Sequence, residues 1–184
     1  IEDGIDKDDW TFLPKDAPGK KEACKNEKSK HHRKDCNATD WNERSVDLKI
    51  SQIKEILSRE HSLPTFLGIQ EVENPKVVSR LAKKLGYTEF EMTKSLDARG
   101  IDVALLFKKS KDIKKVAKYE HVVQVERATR NILEVEFLID NHYPLTLFVN
   151  HWPSLANPDS WRIKAAEVLL ARSQEIMKKN SVMN

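Results

Sequence analysis

A carboxylate at the exit of a short apolar strand is the first side chain with the type and position to do chemistry. The stretch TFLGIQEVEN, residues 65–74, begins apolar and delivers Gln70 and Glu71 near its end. Apolar runs of this length between turn signals predict a buried strand. The carboxyl ends of such strands form the sheet edge at which α/β proteins bind ligands. The structural alternative is that Glu71 only lies near the positive N-terminus of the next helix.

A histidine holds the same kind of position on a later strand. In PLTLFVNHWPS, residues 144–154, the side chains alternate between two faces and the strand ends at Asn150 and His151. A histidine at a strand end serves structure more often than catalysis, so its position alone leaves both roles open.

Two arginines precede predicted strands. Arg99 lies in the polar loop before residues 101–107, and Arg130 lies just before residues 132–139. A guanidinium group donates two parallel hydrogen bonds and therefore suits a phosphodiester. An ordinary loop arginine is the alternative in each case.

The elements that must position these residues follow from periodicity and turn signals. Helices are predicted at 40–58, at 75–85 and at 160–178, the last with Ile163, Ala166 and Leu170 facing the core. Further strands are predicted at 87–93, 101–107, 120–125, 132–139 and 145–150, with a solvated basic turn over 108–118. Because the later strands arrive partly in direct succession, a simple doubly wound parallel sheet is disfavoured.

Composition places the chain among single-domain globular proteins. Its 184 residues are enough for one real core, and 33% of them are charged. No stretch approaches the apolar length of a membrane span, and no signal peptide is recognisable. The net charge of +3 is compatible with a phosphate-bearing substrate without requiring one.

Residues 1–40 are predicted to be a loop-rich excursion that carries both cysteines, Cys24 and Cys36. A disulfide between them would close a loop of roughly 15 residues or fewer and contribute about 3 kcal/mol. A zinc site would need more ligands than this pair offers. An oxidised pair favours an exported protein, periplasmic or extracellular. The basic run KSKHHRK, residues 28–34, suits phosphate contacts, although a solvated charged loop explains it equally.

Three stretches together resemble one known family. LGIQEVEN, DARGIDVALLF and VNHWPS resemble, in the family's order, strands of the endonuclease/exonuclease/phosphatase superfamily, and the second is similar to its bacterial secreted-nuclease-like branch. The resemblance implies an α/β (α+β) fold: the front half of a four-layer α/β/β/α sandwich of the deoxyribonuclease I-like type, with a mixed sheet. It divides the chain into the excursion, 1–40, and an incomplete endonuclease/exonuclease/phosphatase domain, 41–184.

The resemblance also implies a role for each candidate residue. Glu71 would hold a divalent metal, and His151 would hydrogen-bond the scissile phosphate and stabilise the charge developing on it. Arg99, Arg130 and Asn150 would bind the substrate. Arg130 is followed by asparagine where the branch commonly has aspartate, a departure from the pattern.

The implied function is a Mg²⁺-dependent phosphoesterase, with Mn²⁺ or Ca²⁺ as alternative metals. Its expected substrate is the phosphodiester backbone of DNA or RNA, and a monomer is expected. A phospholipid or inositol-phosphate hydrolase of the same superfamily is the nearest alternative. A non-catalytic phosphate- or nucleic-acid-binding module is the alternative from another class.

Other parts of the family pattern are not found in residues 1–184. The resemblance implies a first strand that carries an asparagine and a Gly-Asp-Phe-Asn type strand with further site residues. It also implies an Asp-His pair that prepares the attacking water. The sequence is therefore interpreted as the front part of an enzyme whose active site other residues complete.

Overall fold

A computed structural model describes residues 1–5, 9–59, 62–95 and 100–182, and shows a mixture of helices and strands as predicted. The elements in that part of the chain are a 3₁₀ helix (Trp10–Phe12), α1 (Lys20–Asn26), α2 (Lys30–Ala38), α3 (Glu43–Leu57), β1 (Phe66–Val72), α4 (Pro75–Leu85), β2 (Glu89–Met92), β3 (Asp102–Phe107), β4 (Ile113–His121), β5 (Ile132–Ile139), β6 (Tyr143–Val149) and α5 (Asp159–Val182). Among these helices, none is long and apolar enough to span a membrane.

The strands form two three-stranded sheets, ordered β1-β3-β2 and β4-β5-β6. Every pairing between these strands is antiparallel, so the prediction of a mixed sheet is wrong. The helix α4 joins β1 to β2 as in a parallel crossover, but β3 inserts between the two strands and pairs antiparallel with both. The predicted hairpin of β5 and β6 turns at Asp140 and Asn141, whose φ angles of 51° and 55° suit a tight primed turn.

The two sheets pack face to face through alternate residues of their central strands. Every residue of β3 is buried because the strand has a packing layer on each side. Val103, Leu105 and Phe107 face the second sheet and meet residues of β5 and β6. The rings of Phe107 and Phe137 lie 5.0 Å apart at 77°, an edge-to-face contact. This apolar interface determines how the strand ends of one sheet lie against those of the other.

Helices α3 and α4 cover the outer face of the first sheet. Their buried residues contact Ala104 and Leu106, the residues of β3 that point away from the second sheet. The helix α4 begins and ends as predicted. Asn74 accepts two backbone N–H groups of its first turn at 3.0 and 3.1 Å, and Gly86 ends the helix with a φ of 80°.

Helix α5 covers the outer face of the second sheet, but not with the predicted side. Ile163 and Leu170, expected in the core, are each 58% exposed. The helix buries Trp161 and Ala165 instead, and it turns Arg172 towards the sheet. A charged residue on the buried side explains the error, because a periodicity argument counts apolar residues only.

A strand also forms where a solvated basic turn was predicted. The strand β4 begins at residue 113 and ends at residue 121, whereas the prediction placed a turn over 108–118 and a strand over 120–125. In the sheet β4 lies at the edge, next to β5 alone. Lysines are common on edge strands because they stay in solvent and oppose pairing with other chains.

Two short helices replace the loop predicted between residues 20 and 38, and we call this unit the basic hairpin. A disulfide joins Cys24 of α1 to Cys36 of α2, with Cα atoms 5.5 Å apart. Lys20 is only 2% exposed, and burial lowers the pKa of its ammonium group. That group donates to three backbone carbonyls, those of Thr11, Leu13 and Thr39.

The second sheet buries an ion pair beneath α5. Glu134 of β5 is fully buried, and each of its carboxylate oxygens accepts a hydrogen bond of 2.8 Å from Arg172. The Nε2 atom of His121 lies 2.5 Å from the same carboxylate. Burial alone raises the pKa of Glu134, but the hydrogen bonds from Arg172 and His121 outweigh it and hold the pKa below its ordinary value. The pair therefore fixes α5 on the sheet.

We expect Arg172→Met to lower the free energy of unfolding by about 3–5 kcal/mol, because it leaves the buried carboxylate of Glu134 without its cation. Urea unfolding at neutral pH measures the loss. Arg59→Met is the matched control, since Arg59 and its partner Glu55 are both 65% exposed and such pairs contribute little. Equal losses in the two variants would contradict the prediction.

The ionisation of Glu134 offers a second readout of the same pair. Because the folded-state pKa lies below the ordinary 4.5, the stabilisation is complete above that pH and is lost as the pH falls through the folded-state pKa. The double variant Glu134→Leu/Arg172→Met has neither charge. Its unfolding free energy should therefore fall less than that of the wild type between about pH 5 and pH 3.

Candidate functional site

Three strand ends from two different sheets meet at one edge of the molecule. The side chain of Gln70, near the end of β1, donates a hydrogen bond to the backbone oxygen of Asn150, just after β6. Because β5 and β6 are antiparallel, the start of β5 lies beside the end of β6, with Leu133 opposite Val149. The residues at the end of β1, before β5 and after β6 consequently share one cleft.

An irregularity in β1 places Glu71 in this cleft. The pairing with β3 shifts between Gln70 and Val72, so Glu71 is the extra residue of a β-bulge. Its φ of 57° lies in the left-handed region, which costs free energy for any residue with a side chain. The side chain lines the cleft and is 56% exposed.

His151 contacts Glu71 across the junction of the two sheets. The distance from His151 Nε2 to Glu71 Oε1 is 3.1 Å, and the imidazole is 20% exposed. The other carboxylate oxygen of Glu71, Oε2, has no hydrogen bond to the part of the chain that the structure describes. The histidine is thus held within the protein, whereas the carboxylate reaches solvent.

Arg130 lines the same cleft from the start of β5. It is 9% exposed, and its NH2 group donates to the backbone oxygen of Trp152 at 3.3 Å. Asn150 lies beside the cleft but does not line it, and its side-chain oxygen accepts a hydrogen bond of 3.4 Å from Trp152. Arg99, the remaining predicted substrate-binding residue, lies outside the described residues. The structure therefore brings Glu71, His151 and Arg130 together.

A hydrogen-bonded network behind the cleft holds the start of β5. The buried carboxylate of Asp102 accepts from Ser95 Oγ at 2.5 Å, and Ser95 Oγ accepts the backbone N–H of Asn131 at 2.9 Å. The Asn131 amide donates to Glu120 at 3.1 Å. Burial alone raises the pKa of Glu120, but the hydrogen bonds that it accepts lower the pKa further than burial raises it. An aspartate at position 131 would place a second carboxylate against that of Glu120, and the asparagine avoids this repulsion.

The rest of the cleft is lined by residues that the sequence did not assign to the site, among them Arg127, Asn157 and Trp161. Arg162 donates to the backbone oxygens of Ser154 and Asn157, at 2.7 and 3.2 Å, and so holds the loop after β6. Arg127 lies over the ring of Trp161, 5.4 Å from its centroid, and donates to the Asn157 side chain at 3.1 Å. In the sequence Arg127 is one more arginine, three residues before Arg130, and nothing about its position marks it as a site residue.

The cleft has a volume of about 650 Å³. A larger one, of about 710 Å³, lies between α5 and the outer face of the second sheet and contains Arg172. In the larger cleft the guanidinium group of Arg172 is already engaged by Glu134, Glu136 and Glu175. Its charges stabilise packing, whereas the smaller cleft contains the residues predicted from the sequence, Glu71, Arg130 and His151.

The smaller cleft offers one carboxylate to a cation. Among the described residues there is no group of three or more His, Cys, Asp or Glu side chains that could hold a metal ion. However, Mg²⁺ typically binds proteins through one or two carboxylates and keeps several waters. Glu71, whose side chain is 56% exposed in the cleft, fits that mode of binding.

A carboxylate, a histidine and an arginine thus converge from two facing sheets in one cleft. The family model of the endonuclease/exonuclease/phosphatase family matches residues 24–184, and the chain belongs to this family. Its members are generally hydrolytic enzymes that use divalent metals, so membership indicates a phosphoesterase- or nuclease-type hydrolase. The match confirms the family predicted from the sequence. No curated protein matches the chain significantly.

The left-handed backbone at Glu71 leads to a stability prediction. Glycine adopts this conformation freely, whereas alanine retains the cost, so we expect Glu71→Gly to be more stable than Glu71→Ala by about 1 kcal/mol. Urea unfolding of the two variants without added metal measures the difference. Equal stability, or a less stable glycine variant, would mean that the bulge stores no strain.

Proposed function

We propose that the protein is a metal-dependent phosphodiesterase that hydrolyses DNA or RNA. The observation that carries the proposal is the 3.1 Å contact between Glu71 and His151 in a cleft that also contains Arg130. A carboxylate suits a hard cation, and the two nitrogen groups suit phosphate oxygens. The layers follow the order α3 with α4, first sheet, second sheet and α5. This order supports the predicted front half of a domain of the four-layer α/β/β/α sandwich type.

Glu71 is the residue that would hold the metal. A divalent cation held there would supply Lewis acidity to a phosphate oxygen and would make a neighbouring water more acidic. Nε2 of His151, the ring atom that faces Glu71, would donate a hydrogen bond to a non-bridging oxygen of the substrate. The mutual contact of the two side chains in the free protein keeps both oriented towards the same point.

His151 and Arg130 would stabilise the charge that develops at phosphorus. In hydrolysis the oxygen of water bonds to phosphorus, the bond to the leaving oxygen breaks, and that oxygen receives a proton. In the transition state the equatorial oxygens gain negative charge. Hydrogen-bond donors that are already held in place stabilise this charge without rearranging. Arg130 is almost fully buried, and the network through Asn131 holds the chain next to it.

Two features favour a nucleic acid over a phospholipid or an inositol phosphate. The cleft contains a second guanidinium group, Arg127, next to Arg130, so it can contact more than one phosphate of a chain. The basic hairpin also adds positive charge elsewhere on the molecule. Hydrolysis of an oligonucleotide, of phospholipid vesicles and of inositol phosphates by the full-length protein would test this choice, and preference for either of the latter would overturn it.

We expect His151→Ala to lower the turnover of an oligonucleotide by the full-length protein by a factor of about 100 to 1,000, the usual loss when one charge-stabilising donor is removed. His142→Ala is the matched control, because His142 is exposed in the turn between β5 and β6. Circular dichroism verifies that both variants are folded. Near-normal turnover in the His151 variant would give this histidine a structural role.

We expect Glu71→Gln in the full-length protein to weaken Mg²⁺ binding strongly, because it deletes the charge while keeping the shape of the side chain. The melting temperature without metal should change little. Calorimetric Mg²⁺ titration measures the effect, with Glu89→Gln as control, a carboxylate at the opposite end of the first sheet. Equal Mg²⁺ affinities of wild type and Glu71→Gln would exclude Glu71 as a ligand.

A further inference from the structure

The positive charge of the chain is concentrated in the basic hairpin. Residues 20–38 contain seven Lys or Arg and three Asp or Glu, and so carry +4. The remaining residues contain 25 Lys or Arg and 26 Asp or Glu, and so carry −1, which gives the net charge of +3. Cations clustered on one small unit are the electrostatic footprint of a polyanionic partner.

The hairpin holds these charges on a fixed support. Its helices have 7 and 9 residues, lengths at which isolated helices are not stable in water. Cys24 and Cys36 are buried, and their disulfide joins the two helices. The three hydrogen bonds of Lys20 join the start of α1 to the preceding segment and to the end of α2. A pre-ordered surface loses less conformational entropy when it binds.

The hairpin exposes six cations. They are Lys21 and Lys25 on α1, Lys28 in the connection, and Lys30, Arg33 and Lys34 on α2. Within the described part of the chain none of the six forms an ion pair with a carboxylate, and the ion pair inside the hairpin joins His31 to Asp35. Arg33 donates to the backbone oxygen of Glu27, a neutral acceptor that leaves its charge uncompensated.

The segment that carries the hairpin is anchored at the end of β1 that bears Glu71. The backbone of Ile1 pairs with that of Glu71 and of Glu73. The indole of Trp41 donates to the oxygen of Glu2 at 3.0 Å, and its ring contacts Phe12 edge to face at 5.4 Å. The hairpin packs on the 3₁₀ helix that contains Phe12. It is therefore fixed to the same end of the first sheet as the cleft.

We propose that the basic hairpin is a second substrate-contact surface that binds the phosphate backbone of a nucleic acid without sequence preference. It retains a long chain near the cleft while the cleft acts on one phosphodiester. The role in turnover rests on the proposed function, whereas the binding of a polyanion does not. Binding by exposed lysines predicts a salt-dependent affinity, because each phosphate contact contributes about 0.9 to the slope of log K against log salt on a duplex.

The test compares two quadruple variants of the full-length protein with the same change in charge. In the hairpin variant the residues replaced by Gln are Lys25, Lys28, Lys30 and Lys34. In the control variant they are Lys49, Lys54, Lys83 and Lys84, which are exposed on α3 and α4. Fluorescence anisotropy of a labelled DNA duplex in EDTA, at several salt concentrations, measures binding without cleavage. Circular dichroism and thiol titration verify that both variants are folded with the disulfide intact.

We expect the hairpin variant to lose about 2 to 4 from the salt slope and the control variant to keep the wild-type slope. Equal losses in the two variants would show that only net charge matters and would overturn the proposal. So would unchanged binding in the hairpin variant, or a wild type that does not bind the duplex. Hairpin-dependent binding to vesicles of anionic phospholipid, without binding to the duplex, would identify a membrane surface as the partner instead.

Kinetics separate this surface from the cleft. In the hairpin variant KM for a long polynucleotide should rise several-fold with kcat unchanged, and a dinucleotide substrate should be hydrolysed as by the wild type. A fall in kcat for the dinucleotide would mean that the hairpin takes part in catalysis in the cleft, and this result would overturn its role as a separate binding surface. If the wild type hydrolyses neither substrate, the proposed function fails, and the binding measurement in EDTA still decides the role of the hairpin.

Discussion

The apolar packing between the two sheets is the constraint on which the candidate site depends. Glu71 follows a strand of the first sheet and His151 follows a strand of the second, so their contact exists only while the sheets keep their relative position. The contact of Phe107 with Phe137 contributes to that position. Side chains alternate with a period of two, so a slip of one residue in β3 would turn its inner face outwards. The same packing that stabilises the fold therefore creates the site.

The site has an irregular backbone where a regular one would be more stable. Glu71 lies in a bulge with a left-handed φ, although glycine would meet that requirement at lower cost. Because the backbone alone would favour glycine here, the carboxylate supports the role that we propose for Glu71 as a metal ligand. Around it the protein is well braced, because Asp102, Ser95 and Asn131 link β3 to the start of β5 through hydrogen bonds. The strained backbone at Glu71 is tolerated because the surrounding hydrogen bonds hold the structure in one conformation.

Local signals in the sequence were sufficient for some elements and not for others. The helix α4 was predicted from Asn74 and Gly86, and β3 from its apolar run, because neighbouring residues alone decide such features. The strand β4 and the buried side of α5 depend on distant partners, above all on the ion pair of Glu134 with Arg172. The cleft itself depends on two sheets meeting, so spacing alone left Glu71 and His151 ambiguous, and the family resemblance selected them.

The distribution of charge connects the fold with the proposed chemistry. Some cations of the body are matched by carboxylates, as when Arg80 contacts Glu43 and Asp47. In the cleft, by contrast, Arg127 contacts a neutral amide and an aromatic ring. Such partners orient a guanidinium group without cancelling its charge, and the exposed lysines of the basic hairpin likewise lack carboxylate partners within the described chain. Positive charge thus remains available at the surfaces where we propose that a phosphate chain binds.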